Sequence, residues 1–337
     1  MIHGNHTGTD GVSDMNEQKT IDIICIGQVV QDILATNVPE NAFMRDTDTV
    51  MADTMTFATG GDAANEAVIL SRLGNKVTLL ARLDKRNIGN MIYDDMQAEG
   101  VDMSHSPRLD DCENFTSMVF IHPSGDHNFI VGPGKNYLPK KTDFDMELFK
   151  QTRAVSAASL FALGELDVDG IEEIFKTAQE AGAFTIADMN FDLVGIGPNG
   201  VAKAYPYIDY LMPSLNEAVY VTGLKEPDAI ADYFLAAGVK NVVLKLGSEG
   251  CFFKNAQERF YMDAFEITPM DTTGCGDNFV AAFIHALLKG KSNYECCEYG
   301  SAAGALNSFS VGAHMYIRSE QQILDFIATA PKRVMNR

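Results

Sequence analysis

Ile21 to Ile26 (IDIICI) is an apolar run broken by one charge and stopped by Gly27, the pattern of a strand buried on both faces of a parallel sheet. Similar short runs recur at Val77 to Ala81, Ser159 to Leu163, Phe184 to Ala187, Tyr210 to Met212 and Val242 to Leu246. Between them, Ala63 to Leu73, Gly170 to Ala181 and Asp228 to Ala237 are amphipathic, and Gly74, Gly182 and Gly238 follow them where helix C-caps belong. Strands alternating with helices predict an α/β fold: a doubly wound, mostly parallel sheet flanked by helices, with its ligand at the carboxyl ends of the strands. Two segments break the alternation. Asp32 to Phe57 is polar and turn-rich, and Phe115 to Val131 reads as two strands around a Pro123-Ser124-Gly125-Asp126 turn. Segments 32–57 and 112–134 are either a small β-sheet projecting from the main one as a lid, or two ordinary surface excursions. Residues 1–20 carry no apolar period and read as a disordered tail, which leaves 21–332 as the folded domain.

Composition narrows the partners. The chain has 337 residues, 46% hydrophobic and 21% charged, enough for a sizeable core. Its 26 Lys+Arg against 46 Asp+Glu sum to −20, which opposes extended contact with nucleic acid or an anionic membrane. No apolar stretch approaches the ~18 residues of a membrane span, and the start has no signal-peptide pattern. The 6 cysteines show neither CxxC nor Cys/His ligand spacing, so the expected compartment is a reducing cytoplasm.

The sharpest local chemistry is Asp271-Thr-Thr-Gly-Cys-Gly-Asp277, which feeds an apolar helix NFVAAFIHALLKG. The N–H groups of Gly274, Cys275, Gly276 and Asp277 would emerge from the helix N-terminus, where the dipole favours an anion such as a phosphoryl group. Asp277 is placed there as a general base or merely as a helix cap. The string resembles the C-terminal DTxGAGD signature of the ribokinase-like (PfkB) carbohydrate kinase family. The resemblance implies that Asp277 deprotonates the substrate hydroxyl and that Gly274, Cys275 and Gly276 form the anion hole. Cys275 departs from the usual small residue, which predicts a slightly tighter loop.

Other motifs follow in the family's order. Gly60-Gly61-Asp62-Ala-Ala-Asn65 is similar to GGxxxN, which implies that Gly60, Gly61 and Asn65 hold sugar hydroxyls and that Asp62 faces the substrate. Asp32 matches the early acidic residue that accepts sugar hydroxyls, and Glu165 matches a position that faces the substrate in several relatives. MPSLNEAVYVTG resembles NxxE, which implies that Glu217 organises magnesium, directly or through water, while Ser214 replaces the Asn. Lys245-Leu-Gly247-Ser248-Glu-Gly250 resembles the nucleotide-binding TLGxxG turn, and Ala303, Asn307, Gly312 and Ala313 fall where relatives wrap adenine. Asp271 and Thr273 match a form associated with a monovalent-cation site, potassium in some relatives. Asp188 and Asn190 fit part of a DxNxR element of sugar-acid kinases, but Asp192 stands at its Arg.

Competing motifs fail. Gly195-Ile-Gly197-Pro-Asn-Gly200 is literally GxGxxG, but no strand runs into it, and there is no GxxxxGK[ST]. The resemblance therefore implies ATP- and magnesium-dependent phosphorylation of a hydroxyl on a small sugar or sugar-derived polyol, by a homodimer clasped through its lids. The alternatives are a nucleoside kinase of the same fold, with Phe120 and Phe129 stacking on a base, and a sugar-sensing protein without catalysis.

Overall fold

Ile21–Ile26 forms strand β1, and its alternate residues enter two different cores. Ile23 and Cys25 join one apolar cluster, while Ile24 and Ile26 join the other, and all four are fully buried. That is the two-faced burial the run predicts. The structure is a computed structural model and describes residues 19–42, 48–124 and 127–335. The expected tail, apart from Lys19 and Thr20, lies outside the described residues, as do Gly125 and Asp126 of the expected turn.

The first half continues through β2 (Val30–Thr36), β3 (Thr54–Gly60), α1 (Asp62–Arg72), β4 (Val77–Leu80), β5 (Leu83–Asp84), α2 (Asn87–Ala98), β6 (Arg108–Leu109), β7 (Phe115–Ile121) and β8 (His127–Gly132). Then come β9 (Thr152–Leu160), α3 (Glu165–Asp169), α4 (Ile171–Glu180), β10 (Phe184–Met189), β11 (Tyr210–Leu211), α5 (Leu215–Thr222), α6 (Pro227–Ala236) and β12 (Asn241–Lys245). The chain closes with β13 (Cys251–Asn255), β14 (Arg259–Met262), α7 (Cys275–Leu288), α8 (Asn293–Asn307) and α9 (Glu320–Thr329). The main sheet has the order β14-β13-β12-β11-β10-β9-β1-β4, parallel from β12 to β4 with an antiparallel edge.

The three expected helix stops hold, because Gly74, Gly182 and Gly238 all take positive φ. One strand is displaced from its expected place. The run Ser159 to Leu163 is not itself a strand: β9 begins at Thr152 and ends at Leu160, because Phe161 turns the chain with φ 73°. Buried Asp167 holds that turn, accepting from the N–H groups of Phe161 and Leu163 at 3.1 and 2.8 Å. Helix α7 is buried all round from Asn278 to Leu288, so it is a core helix wedged between α1 and α8 rather than an amphipathic one.

The two interrupting segments do build one small sheet, in the order β3-β2-β7-β8. Asp32 to Phe57 is not loop throughout, since its ends belong to β2 and β3. Register separates the two faces of this sheet. Asp32, Leu34, Val119 and Ile121 face the main body across a cavity shared with residues 311–315. On the other face a row crosses all four strands: Phe57 pairs with Ile33, Ile33 with Met118, and Met118 with Ile130. Phe57 and Ile130 are 58% and 55% exposed. Phe120 packs beside Ala35, Val38 and Ala42. The return from this sheet to β9 is pinned by buried Arg82, which grips Asp143 with two N–H groups at 2.6 and 2.8 Å and Asn136 Oδ1 with a third at 2.6 Å.

Candidate active site

Helix α7 starts at the carboxyl edge of the main sheet because Gly274 takes φ 72° and has no side chain there. A Cβ at that position would lie 2.3 Å from the carbonyl oxygen of Ala313. The first turn, Cys275 to Asp277, lines a cavity of about 500 Å³. The Cys275 N–H donates to the carbonyl of Thr272 at 3.2 Å. Burial pushes the Cys275 thiol up to about 11, so it stays protonated and is not a nucleophile.

Asp62, Asp188, Glu217, Lys245 and Asp277 meet in this cavity. Asp277 Oδ2 accepts from Asn65 Nδ2 at 2.7 Å, which joins the two glycine-rich motifs across the fold. Burial, and next the Asp62 carboxylate, push the Asp277 carboxyl well above its ordinary value; Asn65 and Lys245 pull the other way. Asp62 accepts from Ser159 Oγ at 2.5 Å and from Asn190 Nδ2 at 3.2 Å. Lys245 reaches Asp188 in an ion pair. Burial raises Asp188 to about 7 despite that ammonium. Burial also works to lower the Lys245 pKa, but Asp188 and Glu217 outweigh it and hold the lysine charged. Below the cavity floor, Glu66 is fully buried, with Oε2 accepting from Ser156 Oγ at 2.7 Å, and burial raises it well above the carboxylate range.

Glu217 caps its own helix: its Oε2 accepts from the Ser214 N–H at 2.7 Å, and its side chain still lines the cavity. The expected nucleotide turn lies in the same wall, through Gly247, Ser248 and Gly250. Gly250 takes φ 99°, and a Cβ there would fall 1.9 Å from the carbonyl of Met262. Phe265, Ile267, Pro269 and Ala305 make the far wall apolar, and Arg333 stands beside Ser248.

Asp32 lies in a second cavity of about 130 Å³, together with Asp271, Thr273 and Gly312. Burial raises Asp32 to about 6, opposed by a hydrogen bond from Ser117. Gly60 makes room for it, because a Cβ there would meet Asp32 Oδ2 at 2.3 Å. Gly61, with φ 94°, opens α1 beside it. Asp271 accepts from Thr273 N and Oγ1 at 2.9 and 2.7 Å and from the Gly312 N–H at 2.9 Å.

Several expected residues stand elsewhere. Glu165 does not line the main cavity; its side chain is 66% exposed and pairs with Lys140 at 2.6 Å, because α3 turns it outward. Ala303 is fully buried in the core, since the face of α8 that meets the cavity is Ser301, Gly304 and Ala305, followed by Ser308 just past its end. Asn307, also fully buried, supports the signature loop by donating to the Thr273 carbonyl at 2.8 Å. Gly312 serves Asp271 and not the larger cavity. Asp188 and Asn190, which the partial DxNxR match touches without assigning, do line the site; their signal was their place at the end of β10. Asp192 instead folds onto its own loop, accepting from the N–H groups of Gly195, Ile196 and Gly197, which disposes of the GxGxxG string. His314 and Arg333 had no signal in the sequence.

The model of the pfkB family carbohydrate kinases matches residues 20–317. The chain belongs to that family. It is a sugar kinase by that membership, and its relatives carry sugar-kinase names. It is 26% identical over 303 residues to a ribokinase of Haemophilus influenzae, covering 86% of this chain and 93% of the relative. It is likewise 26% identical over 304 residues to a 2-dehydro-3-deoxygluconokinase of Bacillus subtilis, covering 81% of this chain and 88% of that one. The solved ribokinase of Arabidopsis thaliana complexed with ribose and ATP superposes with a TM-score of 0.74 at 22% identity, over 92% of this chain and 99% of the other, which is a likeness of fold.

The raised carboxyls have a consequence for stability. Asp32, Asp188 and Asp167 hold their protons in the fold up to about 6, 7 and 7, against 3.8 in the unfolded chain. Their contribution is full below 3.8 and is lost as pH rises through 6 to 7. The melting temperature of the ligand-free protein should therefore fall from pH 5 to pH 8 in scanning calorimetry, and Asp188→Asn should flatten part of that fall. A melting temperature that climbs over this range would contradict the assignment.

Proposed function

We propose that the protein transfers the terminal phosphoryl group of ATP to a hydroxyl of a small sugar or sugar-derived polyol, with Asp277 as general base. The observation that carries this is the meeting of Asp277 and Asn65 at the N-terminus of α7, where a base and an anion-binding helix end serve one reacting centre. Asp277 accepts the proton of the acceptor hydroxyl while that oxygen bonds to the γ-phosphorus, and the bond to the bridging oxygen of ADP breaks. Its raised proton affinity makes it a stronger base than an exposed carboxylate. Because Cys275 spends its N–H on Thr272 and Gly274 does not line the cavity, Gly276 is the one of the three expected residues whose amide is left to hold the phosphoryl oxygens.

Asp62, Asp188, Glu217 and Asp277 facing a polyphosphate demand a compensating cation, and since no three carboxylates converge as a metal cluster among the described residues, Glu217, held by its cap in one orientation, would organise magnesium directly or through water together with the phosphates. Magnesium, when bound, offsets that charge and orients the phosphates. Lys245 adds a fixed positive charge beside Gly276. Gly247, Ser248 and Gly250 let the nucleotide approach the backbone, and the apolar wall by Phe265 and Ala305 suits a purine ring. On the acceptor side, Asp32, Asp62 and Asn65 offer hydrogen-bond partners to hydroxyls. A sugar acid is disfavoured, since the position that would read its carboxylate is Asp192, folded into its own loop. Cysteines without disulfides suit a reducing cytoplasm.

Removing a general base costs about 10²–10⁴ in rate, so Asp277→Asn should lose that much kcat while ATP affinity stays near wild type. A coupled ADP-release screen over pentoses, hexoses, sugar acids, polyols and nucleosides supplies the acceptor. Nucleosides are in the screen because Leu34, Val119, Ile121 and Met315 make the cavity by Asp32 largely apolar, which favours a base there over further hydroxyls. Phe120, expected to stack on a base, packs on Ala35 and Val38 instead, and the Phe129 side chain lies outside the described residues. A protein that only senses sugar would release no ADP with any acceptor.

We further propose a potassium ion beside Asp271. The carboxylate is held rigidly by the signature loop, and its charge reaches the first turn of α7, where it opposes an incoming phosphoryl group. A monovalent cation there would cancel it. Turnover should rise when potassium replaces sodium at fixed ionic strength, and equal rates in the two salts would remove the site.

The lid carries the proposed dimer. Phe57, Ile33, Met118 and Ile130 form a continuous apolar row on the outer face, and a second copy related by a two-fold axis covers such a row with its own. Light scattering at micromolar concentration should give twice the 36.8 kDa chain mass, and Phe57→Lys should return it to the single-chain value. A wild-type monomer at that concentration would rule the clasp out.

A further inference from the structure

The segment that follows α8 is locked at its backbone. Asn278 Nδ2 donates to the Ala313 carbonyl at 2.7 Å, and Arg72, itself gripped by Glu99 at 2.5 and 2.7 Å, donates to the carbonyls of His314 and Ile317. The His314 ring is thereby held beside α1, 6% exposed. Its Nδ1 lies 2.8 Å from Asn65 Oδ1, and Asn65 Nδ2 lies 2.7 Å from Asp277 Oδ2.

Donor and acceptor roles along this chain are forced. In the ionised form in which it can take a proton, the Asp277 carboxylate only accepts, so Asn65 turns its NH₂ toward Asp277 and its oxygen toward His314. The oxygen only accepts, so His314 carries its proton on Nδ1. Burial, then the Arg72 charge, lower the His314 pKa to about 4, with Arg318 acting the same way and Asp95 and Glu99 against it. The ring is therefore neutral at physiological pH and holds a single tautomer. Without that donor, the Asn65 amide loses one of the two hydrogen bonds that fix its plane, and its buried oxygen is left without a partner.

We infer that His314 is a positioning residue for phosphoryl transfer: its Nδ1–H fixes the Asn65 amide, which holds Asp277 Oδ2 and leaves Oδ1 for the acceptor hydroxyl. This rests on the reading of Asp277 as the base. His314 touches neither reacting group, and acts through two hydrogen bonds in series.

His314→Gln and His314→Met are close in size and differ in the donor. With MgATP and the acceptors of the screen, D-ribose and D-fructose among them, Met should lower kcat about 10- to 100-fold with the KM for ATP within about 2-fold, whereas Gln should recover most of the rate. In the Met background, Asn65→Ala should cost less than it does in the wild type, since the two residues act in series on Asp277. A Met variant as fast as wild type, beside an inactive Asp277→Asn, overturns the inference and leaves the base in place. An active Asp277→Asn overturns both. Long-range ¹H–¹⁵N spectra of the imidazoles test the geometry without turnover, and without a variant at His314 that must fold. His314 should show a protonated Nδ1 in the wild type, and a signal for the Nε2–H tautomer would refute the assignment.

Discussion

The bond from Asn65 to Asp277 couples the two halves of the chain at the point where chemistry is expected. Asn65 stands in the first turn of α1 and Asp277 in the first turn of α7, and the two helices pack against each other over the same face of the sheet. Both N-termini therefore reach the same edge. That arrangement depends on small residues: Ala63, Ala64 and Ala67 on α1 and Ala281, Ala282 and Ala286 on α7 are fully buried. Larger side chains would separate the helices and lengthen a hydrogen bond that tolerates only a few tenths of an ångström. Close packing in the core thus sets the geometry of the polar site above it.

The same convergence concentrates negative charge. Asp188, Glu217 and Asp277 lie around Lys245, with Asp62 and Glu66 close by, and burial makes Glu66, Asp188 and Asp277 costly to ionise. Part of that cost is relieved by protons, which the raised affinities of Asp188, Glu66 and Asp277 express. A cation bound with the nucleotide, as proposed, would relieve the remainder. A site of this kind is destabilising when empty and is completed by what it binds, so carboxylates that would be unfavourable in a structural core are retained here.

Much of the scaffold was legible in the sequence because it rests on periodicity. Alternating apolar strands, amphipathic helices and the glycines at 74, 182 and 238 are local signals, and local sterics obey them. The GGxxxN and DTTGCGD strings were legible for a related reason, since glycines at positive φ and a carboxylate on a helix start restrict one another within a few residues. The misplaced readings share the opposite property. Glu165 was assigned by its place after a strand, but α3 begins at Gly164 with φ 66° and carries the side chain out to Lys140. Ala303 and Asn307 were assigned by resemblance to where relatives wrap adenine, and on the helix they occupy a shift of one residue turns the side chain by about 100°, enough to exchange the cavity face for the core. Asp188 was set aside on the identity of a neighbour, Asp192, that the fold sends elsewhere.

His314 illustrates contacts that no local pattern announces. It enters the site because Gly274, in the signature loop, lacks the Cβ that would collide with Ala313, and Asn278 then binds the Ala313 carbonyl. The first glycine of the signature is usually read as a means for backbone to approach phosphate. In this fold it also lets a second backbone segment approach the helix start, and that segment delivers a side chain to Asn65, which holds Asp277. The segment from Gly312 to Met315 borders the cavity of Asp32 as well, which places the inner face of the lid sheet and the path from His314 through Asn65 to Asp277 on one stretch of backbone. If Asp277 is the base and the acceptor lies under the lid, as proposed, acceptor binding and the orientation of Asp277 would share one packed, hydrogen-bonded unit.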